Sequence, residues 1–400
     1  MLRAKRGCVS MPDLPSRLPT IDFLRGIAIL LVLGRHHPIS TDTGDGWNYL
    51  AVAWHHWGWT GVDLFFVLSG FLIGGLLFKE YLTSGSIQVG RFLKRRGFKI
   101  WPSYYIYLAA LTGIMYYDGR QDIGQSILPS ILNVQNYFEP VRIHLWSLGV
   151  EEHFYLALPI LLWALIASGL LHSLPAIVLG LAVVCTAGRV WFRLQDANSV
   201  MPIYATHLRI DALAIGVLLA YVKYLRPAVW IVLEGKRIGL LISGAILVAI
   251  GGAFNLDTVR SVALGMPALY LGYAGIIIAF MSSVQMSLVS RIIQSALGRW
   301  VAWAGMYSFS IYLWHNELGV RTIHRLEPWI SATLGGVAIW PIATACYVLA
   351  AVLAGAAIGG IIEYPVLKLR DLWVPAIETP VVAMHLQMDH DKPKARAASA

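Results

Sequence analysis

Charge is the scarcest ingredient of this sequence. Asp, Glu, Lys and Arg make up 13% of its 400 residues, against 57% apolar side chains, whereas soluble domains carry about a quarter charged residues. That excludes an ordinary soluble globular protein. Cysteine is nearly absent too. Cys8, Cys185 and Cys346 are scattered, odd in number and without metal-ligand spacing, so neither a disulfide framework nor a metal site is expected. No G-x-S-x-G, Walker, H-E-x-x-H or dinucleotide-binding pattern occurs. No internal repeat is evident, which removes the usual pointer to an inverted-repeat transporter. The links between apolar runs are short, so no inserted soluble domain is expected.

What the sequence does have is apolar runs about 20 residues long, continuous rather than alternating, which favours membrane helices over a β-barrel. Its 15 Trp and 18 Tyr are ample stock for interfacial belts. The expected fold class is an all-α integral membrane protein with about ten transmembrane helices. They fall at 20–39, 56–78, 100–117, 145–168, 174–192, 207–223, 238–254, 262–282, 301–320 and 337–362. The net charge of +9 is concentrated at helix ends, a distribution that needs no nucleic acid. Lys and Arg favour one side by roughly three to one, which places both termini in the cytoplasm. Only Arg120, Arg142, Arg189, Arg193, Arg260, Arg321 and Arg325 fall outside. Residues 1–19 form a basic cytoplasmic segment leading into a retained signal anchor, 20–370 the membrane domain, and 371–400 a polar tail expected to be disordered. The expected location is the inner or plasma membrane, crossed many times. Oligomeric state is not readable.

The organising stretch is IDFLRGIAILLVLGRHHPI, residues 21–39. Arg25 and His36 are eleven positions apart, about three turns, so they share a face roughly 16 Å apart along an ideal helix. Charge inside a spanning helix costs about 2.5–3.5 kcal/mol per residue by insertion scales, and usually marks a functional path. Asp63, inside the next run, needs a partner, with His36, Arg35 and Arg209 as candidates. Gly70 and Gly74 in the same run read as close helix packing. The block RFLKRRGFKIWP supplies Arg91, Lys94, Arg95, Arg96 and Lys99 beside the membrane, with Pro102 at an early helical position. It suits either topology or a phosphate site. In HLWSLGVEEHFY, Ser147, Glu151 and Tyr155 form a polar stripe, whereas Glu152 faces with Leu148 and Leu156. Glu151 is therefore the better inward carboxylate. His144 and His153 read as interfacial or hydrogen-bonded core histidines. Arg209, with nearby Asp211, and His315 are left open, and Glu363 reads as an inter-helix fastener before a helix end at Pro365. These residues allow an enzyme with a histidine base or a transporter with a histidine relay.

Seven pieces in sequence are similar to the acyltransferase-3 family of integral-membrane O-acyltransferases. They are IDFLRGIAILLVLGRHH with its Arg–ten–His spacing, GVDLFFVLSGFLI, the basic block at Arg96–Pro102, WSLGVEEHFY, LRIDALAIGVLLA, YSFSIYLWH and a final EYP. Lys99 stands where the family commonly has Arg, and His153 where it often has Gln. The esterase-like domain fused to some members is not expected here.

The resemblance implies transfer of an acyl group, acetyl above all, from acyl-CoA to a hydroxyl of a carbohydrate or related cell-envelope or secreted acceptor. No metal is implied. It assigns His36 as general base, with Arg25 and Glu151 as its catalytic company, and Glu151 or Asp63 as the group fixing the imidazole. Arg91, Arg95, Arg96 and Lys99 would hold the donor's phosphates. Asp63, Ser69, Trp146, Ser147, Arg209 and His315 form the expected substrate or structural polar network. The alternative from another class is a proton-coupled exporter of a glycan or lipid-linked intermediate.

Overall fold

The computed structural model describes residues 18–37, 48–138, 140–282, 287–334 and 339–375, and among these no strand occurs. Most of the expected basic segment, with Cys8, and the tail beyond Pro375 lie outside the described residues.

The first half consists of α1 (Pro19–Arg35), α2 (Asn48–Gly58), α3 (Thr60–Ser84), α4 (Val89–Tyr117), α5 (Ile123–Ile131), α6 (Trp146–Ala167), α7 (Leu174–Gln195), α8 (Met201–Tyr204) and α9 (Thr206–Leu225). The second half adds α10 (Pro227–Gly235), α11 (Arg237–Ala253), α12 (Met266–Phe280), α13 (Ser287–Gln294), α14 (Ala296–Met306), α15 (Ser308–Trp314), α16 (Arg321–Leu334), α17 (Ile339–Ile358) and α18 (Tyr364–Trp373). Among the described residues, π turns at Ser261–Gly265, His315–Val320 and Gly359–Glu363 are spliced between them.

Every stretch expected to be helical contains a helix. Among the described residues, five segments are long and apolar enough to cross a membrane: Tyr49–Ser84, Ile143–Ala167, Leu171–Gln195, Ser261–Phe280 and Trp340–Trp373. The others fall short for visible reasons. α1 is 17 residues long and stops at Arg35. The stretch from 301 is cut at Tyr307 and again by the π turn at His315. α4 carries the basic block inside it. The protein is a multi-pass membrane protein.

Local chemistry explains the boundaries. Pro19 opens α1 in its first turn, where a missing N–H costs nothing. α3 ends at Gly85, whose φ of 73° lets its N–H close back on the Tyr81 carbonyl. Pro102 was expected near a helix start, yet it lies in the interior of the 29-residue α4. Arg, Lys, Leu and Phe sustain the helix through the basic block, and a membrane bundle tolerates an interior proline. Pro365, expected to end a helix, instead occupies the first turn of α18.

The core is assembled by close approach of α3 and α9. A Cβ on Gly70 would sit 1.9 Å from the Leu213 carbonyl oxygen, and one on Gly216 2.1 Å from that of Val67. Only glycine permits the two backbones this distance. α1 packs on α14 and on α3, and its Arg25 faces the same cavity as the polar stripe of α6.

Candidate active site

α1, α3, α4, α6, α9 and α15 enclose a cavity of about 330 Å³. Its length can be read along α3, from Lys79 at one end through Ser69 to Phe65 and Val62 at the other. Fourteen residues separate Lys79 from Phe65, about 21 Å at 1.5 Å per residue. Lys79 and Lys223 stand at the first end, Arg25, Arg96 and Lys99 line the middle, and among the described residues Glu151 is the only carboxylate on the wall. The far end is apolar and aromatic, formed by Phe65, Phe66, Leu148 and Tyr312 with the Ser147 hydroxyl.

The middle is built on the stripe anticipated in α6. The Tyr155 hydroxyl donates to Glu151 Oε2 at 2.8 Å, and the Ser69 hydroxyl donates to Tyr155 at 2.6 Å. The Arg96 guanidinium lies over the Tyr155 ring, 3.9 Å from its centroid. Arg96 Nε is buried without a hydrogen-bonding partner. A guanidinium with an unused N–H, beside two further cations and a single carboxylate, is the chemistry of an anion site. Glu152, one residue on, faces away and accepts from Trp101 Nε1 at 3.1 Å.

The basic block divides. Arg96 and Lys99 face the cavity, whereas Arg95 pairs with Asp371 at 2.9 Å and bonds the Val374 carbonyl. Arg91 donates to the Pro375 carbonyl at 2.5 Å. Of the four residues expected to hold phosphate, two line the cavity and two have protein partners. Arg91 and Arg95 fasten the end of α18 to α4, because α18 runs on past Pro365 and delivers its carboxylate and carbonyls to that face.

His36 is not on the cavity wall. It is the C-cap of α1, just past the last helical turn, where a one-turn-back carbonyl is the nearest acceptor. Its Nδ1–H donates to the Val32 carbonyl at 3.1 Å, which leaves the Nε2 lone pair free to act as a base. The expected carboxylate partner is thus replaced by a main-chain carbonyl. Glu151 is held by Tyr155, and Asp63 forms a buried ion pair with Arg209, whose guanidinium also reaches the Tyr270 hydroxyl at 3.1 Å. Trp146 lies against the same guanidinium, 5.5 Å from its ring centroid.

Around His36 stand two more histidines. The ring of His315 is 5.0 Å away and that of His144 6.2 Å, with 5.0 Å between those two. His315 opens a π turn and donates from Nδ1 to the Tyr312 carbonyl at 2.8 Å, and its Nε2 is buried without a partner. Asn316 Nδ2 reaches His144 Nδ1 at 2.7 Å. Among the described residues, no group of histidine, cysteine and acidic side chains has the arrangement of a metal site. The sequence alone marks His144 only as an interfacial or hydrogen-bonded core histidine. Its signal was the neighbouring polar stripe, but its companions lie far away in the chain. Arg189 and Arg193, assigned to an outer segment, lie inside α7 and are buried, and Arg189 pairs with Asp211 at 2.8 Å.

Tyr312 joins the two regions. It lines the cavity and also packs on His144, with ring centroids 5.6 Å apart. Residues 18–360, almost all of this assembly, match the family model described as an acyltransferase domain. The chain belongs to the acyltransferase-3 family. Among curated proteins it is similar to the peptidoglycan O-acetyltransferase OatA of Listeria monocytogenes, 27% identical over 78% of this chain and 50% of that protein. A putative O-acetyltransferase of Staphylococcus aureus is 29% identical over 51% of this chain and 34% of its own length. The O-acetyltransferase OatA of the same species is 28% identical over 52% and 35%. The chain thus spans at most half the length of these relatives. No solved structure matches it. In acyltransferase-3 terms, the matched region contains both the cation-lined cavity and the histidine cluster.

Proposed function

We propose that this protein is a membrane O-acyltransferase that moves an acyl group, acetyl in the first instance, from acyl-CoA to a hydroxyl of a cell-envelope glycan. The observation that carries the reading is the cavity, with Arg25, Arg96 and Lys99 around its middle, Glu151 as the sole carboxylate among the described residues, and the histidine cluster one aromatic layer beyond its far end. A diphosphate-bearing donor fits this charge, and the unpartnered Arg96 Nε is a free N–H for it. Arg25 on α1 supplies a further positive charge deeper in the bundle. The relatives named for peptidoglycan O-acetylation support a glycan acceptor.

In this reading His36 Nε2 takes the proton from the acceptor hydroxyl. The oxygen attacks the thioester carbonyl carbon, the carbon–sulfur bond breaks, and the departing thiolate recovers the proton from the imidazolium. The Val32 carbonyl fixes the tautomer that makes Nε2 the base. Ten crossings with both termini in the cytoplasm of an inner or plasma membrane would place the basic end of the cavity on the cytoplasmic side, where acyl-CoA is found.

The test is purified full-length protein in detergent with radiolabelled acetyl-CoA and peptidoglycan fragments. Labelled ester from the wild type, and its loss in a folded His36→Ala variant, is the expected result. Undiminished ester from His36→Ala would remove the base assignment. Absence of acetyl-CoA binding, with glycan export persisting in vesicles, would favour a proton-coupled exporter instead.

A further inference from the structure

One of the side chains lining the far end of the cavity, Tyr312, is held at both its ring and its hydroxyl. The Tyr312 hydroxyl donates to the His144 carbonyl at 2.6 Å and accepts from the Ser147 hydroxyl at 2.6 Å. Its ring packs edge-on to Phe65 at 6.4 Å and to His144 at 5.6 Å. Its main chain is held as well, because its carbonyl accepts from His315 Nδ1. Tyr312 is 6% exposed and Ser147 4%. Both faces of this phenol matter: one looks into the cavity, and the other abuts the cluster that contains His36.

A coenzyme A thioester carries its phosphates at one end and its acyl group at the other. Anchoring the phosphates on the cations near Lys99 and Lys79 therefore points the acyl group toward Phe65 and Tyr312. We propose that Tyr312, pinned by Ser147 and the His144 carbonyl, is the ceiling of the acyl-donor cavity and restricts transfer to short acyl groups. A short acyl group ends beneath the ring with its thioester carbonyl close to the histidine cluster. A longer chain meets the same ceiling and pushes that carbonyl back toward the basic end, away from His36. The inference rests on the acyl-CoA reading of the cavity and adds the residue that sets chain length.

The experiment measures kcat/KM for acetyl-CoA and butyryl-CoA, by release of free thiol with a peptidoglycan disaccharide as acceptor. The wild type is expected to favour acetyl by about tenfold or more, since one methylene too many in an apolar pocket is worth about that much. Tyr312→Ala removes the ceiling and should shift the butyryl-to-acetyl ratio by at least about tenfold. Tyr312→Phe keeps the ring and should keep the preference. An unshifted ratio in folded Tyr312→Ala overturns the proposal. If that variant does not fold, Tyr312→Leu decides by the same ratio, because its smaller side chain also lowers the barrier. Failure of the wild type to use any acyl-CoA would instead sink the acyl-CoA reading itself, so the two failures are distinguishable.

Discussion

The guanidinium carbon of Arg96 lies 3.9 Å from the centre of the Tyr155 ring, and the hydroxyl of that tyrosine donates to Glu151 at 2.8 Å. One aromatic ring therefore aims a cation and holds a carboxylate of the cavity wall. Lysine can supply charge at position 96 but neither the planar stack nor the fork. Arg96→Lys is expected to raise the KM for acetyl-CoA about tenfold or more, the worth of a charge-assisted hydrogen bond, with the folded fraction unchanged by size exclusion. A wild-type KM would remove Arg96 from the donor site.

The His315 ring lies 5.0 Å from that of His36, so under the proposed mechanism it would support the base through packing rather than through the acyl donor. Small displacements of a base are expensive, on the order of a hundredfold for about 1 Å. His315→Gln should therefore lower kcat by about 10–100-fold while leaving the KM for acetyl-CoA close to that of the wild type. Steady-state kinetics in detergent separate the two, and a change confined to KM would contradict this role.

The Asp63–Arg209 pair is buried, with side chains 0% and 2% exposed. Removing one partner strands the other charge, so Asp63→Ala should cost about 3–5 kcal/mol and lower the melting temperature. Replacing both by apolar residues, as in Asp63→Leu with Arg209→Met, should recover most of that loss. A double variant no more stable than the single one would show that the pair contributes more than mutual compensation.

Gly70→Ala asks α3 and α9 to separate, because the new methyl would meet the Leu213 carbonyl at 1.9 Å. Overpacking of this kind costs about 1–3 kcal/mol. Thermal melting should register the loss, whereas Gly90→Ala, where a Cβ meets nothing within 4 Å, should be silent.

What the sequence revealed follows from distance along the chain. The Ser147–Glu151–Tyr155 stripe was legible because helical spacing alone puts those residues on one face, and all three line the cavity. Asp63 visibly needed a partner, but choosing Arg209 required knowing that two residues 146 positions apart meet. The histidine cluster combines a helix cap, a short turn before α6 and a π turn after α15, so no local period announces it. The division of the basic block was hidden for a related reason. Composition makes Arg91, Arg95, Arg96 and Lys99 equivalent, and only the course of the chain after Pro365 tells the fastening pair from the cavity pair.

That course depends on the π turn at Gly359–Glu363, which leads directly into α18. A π turn holds an extra residue relative to an α-helix. The wider turn absorbs that residue and keeps the flanking turns in phase, but α18 has no such slack, and deleting one residue within it ahead of Asp371 would rotate everything beyond by about 100°. Asp371 would swing away from Arg95 although neither residue had been altered. The anchorage of the chain's last described turn to α4 is thus a matter of phase. A length change of one residue can break it where many substitutions would not.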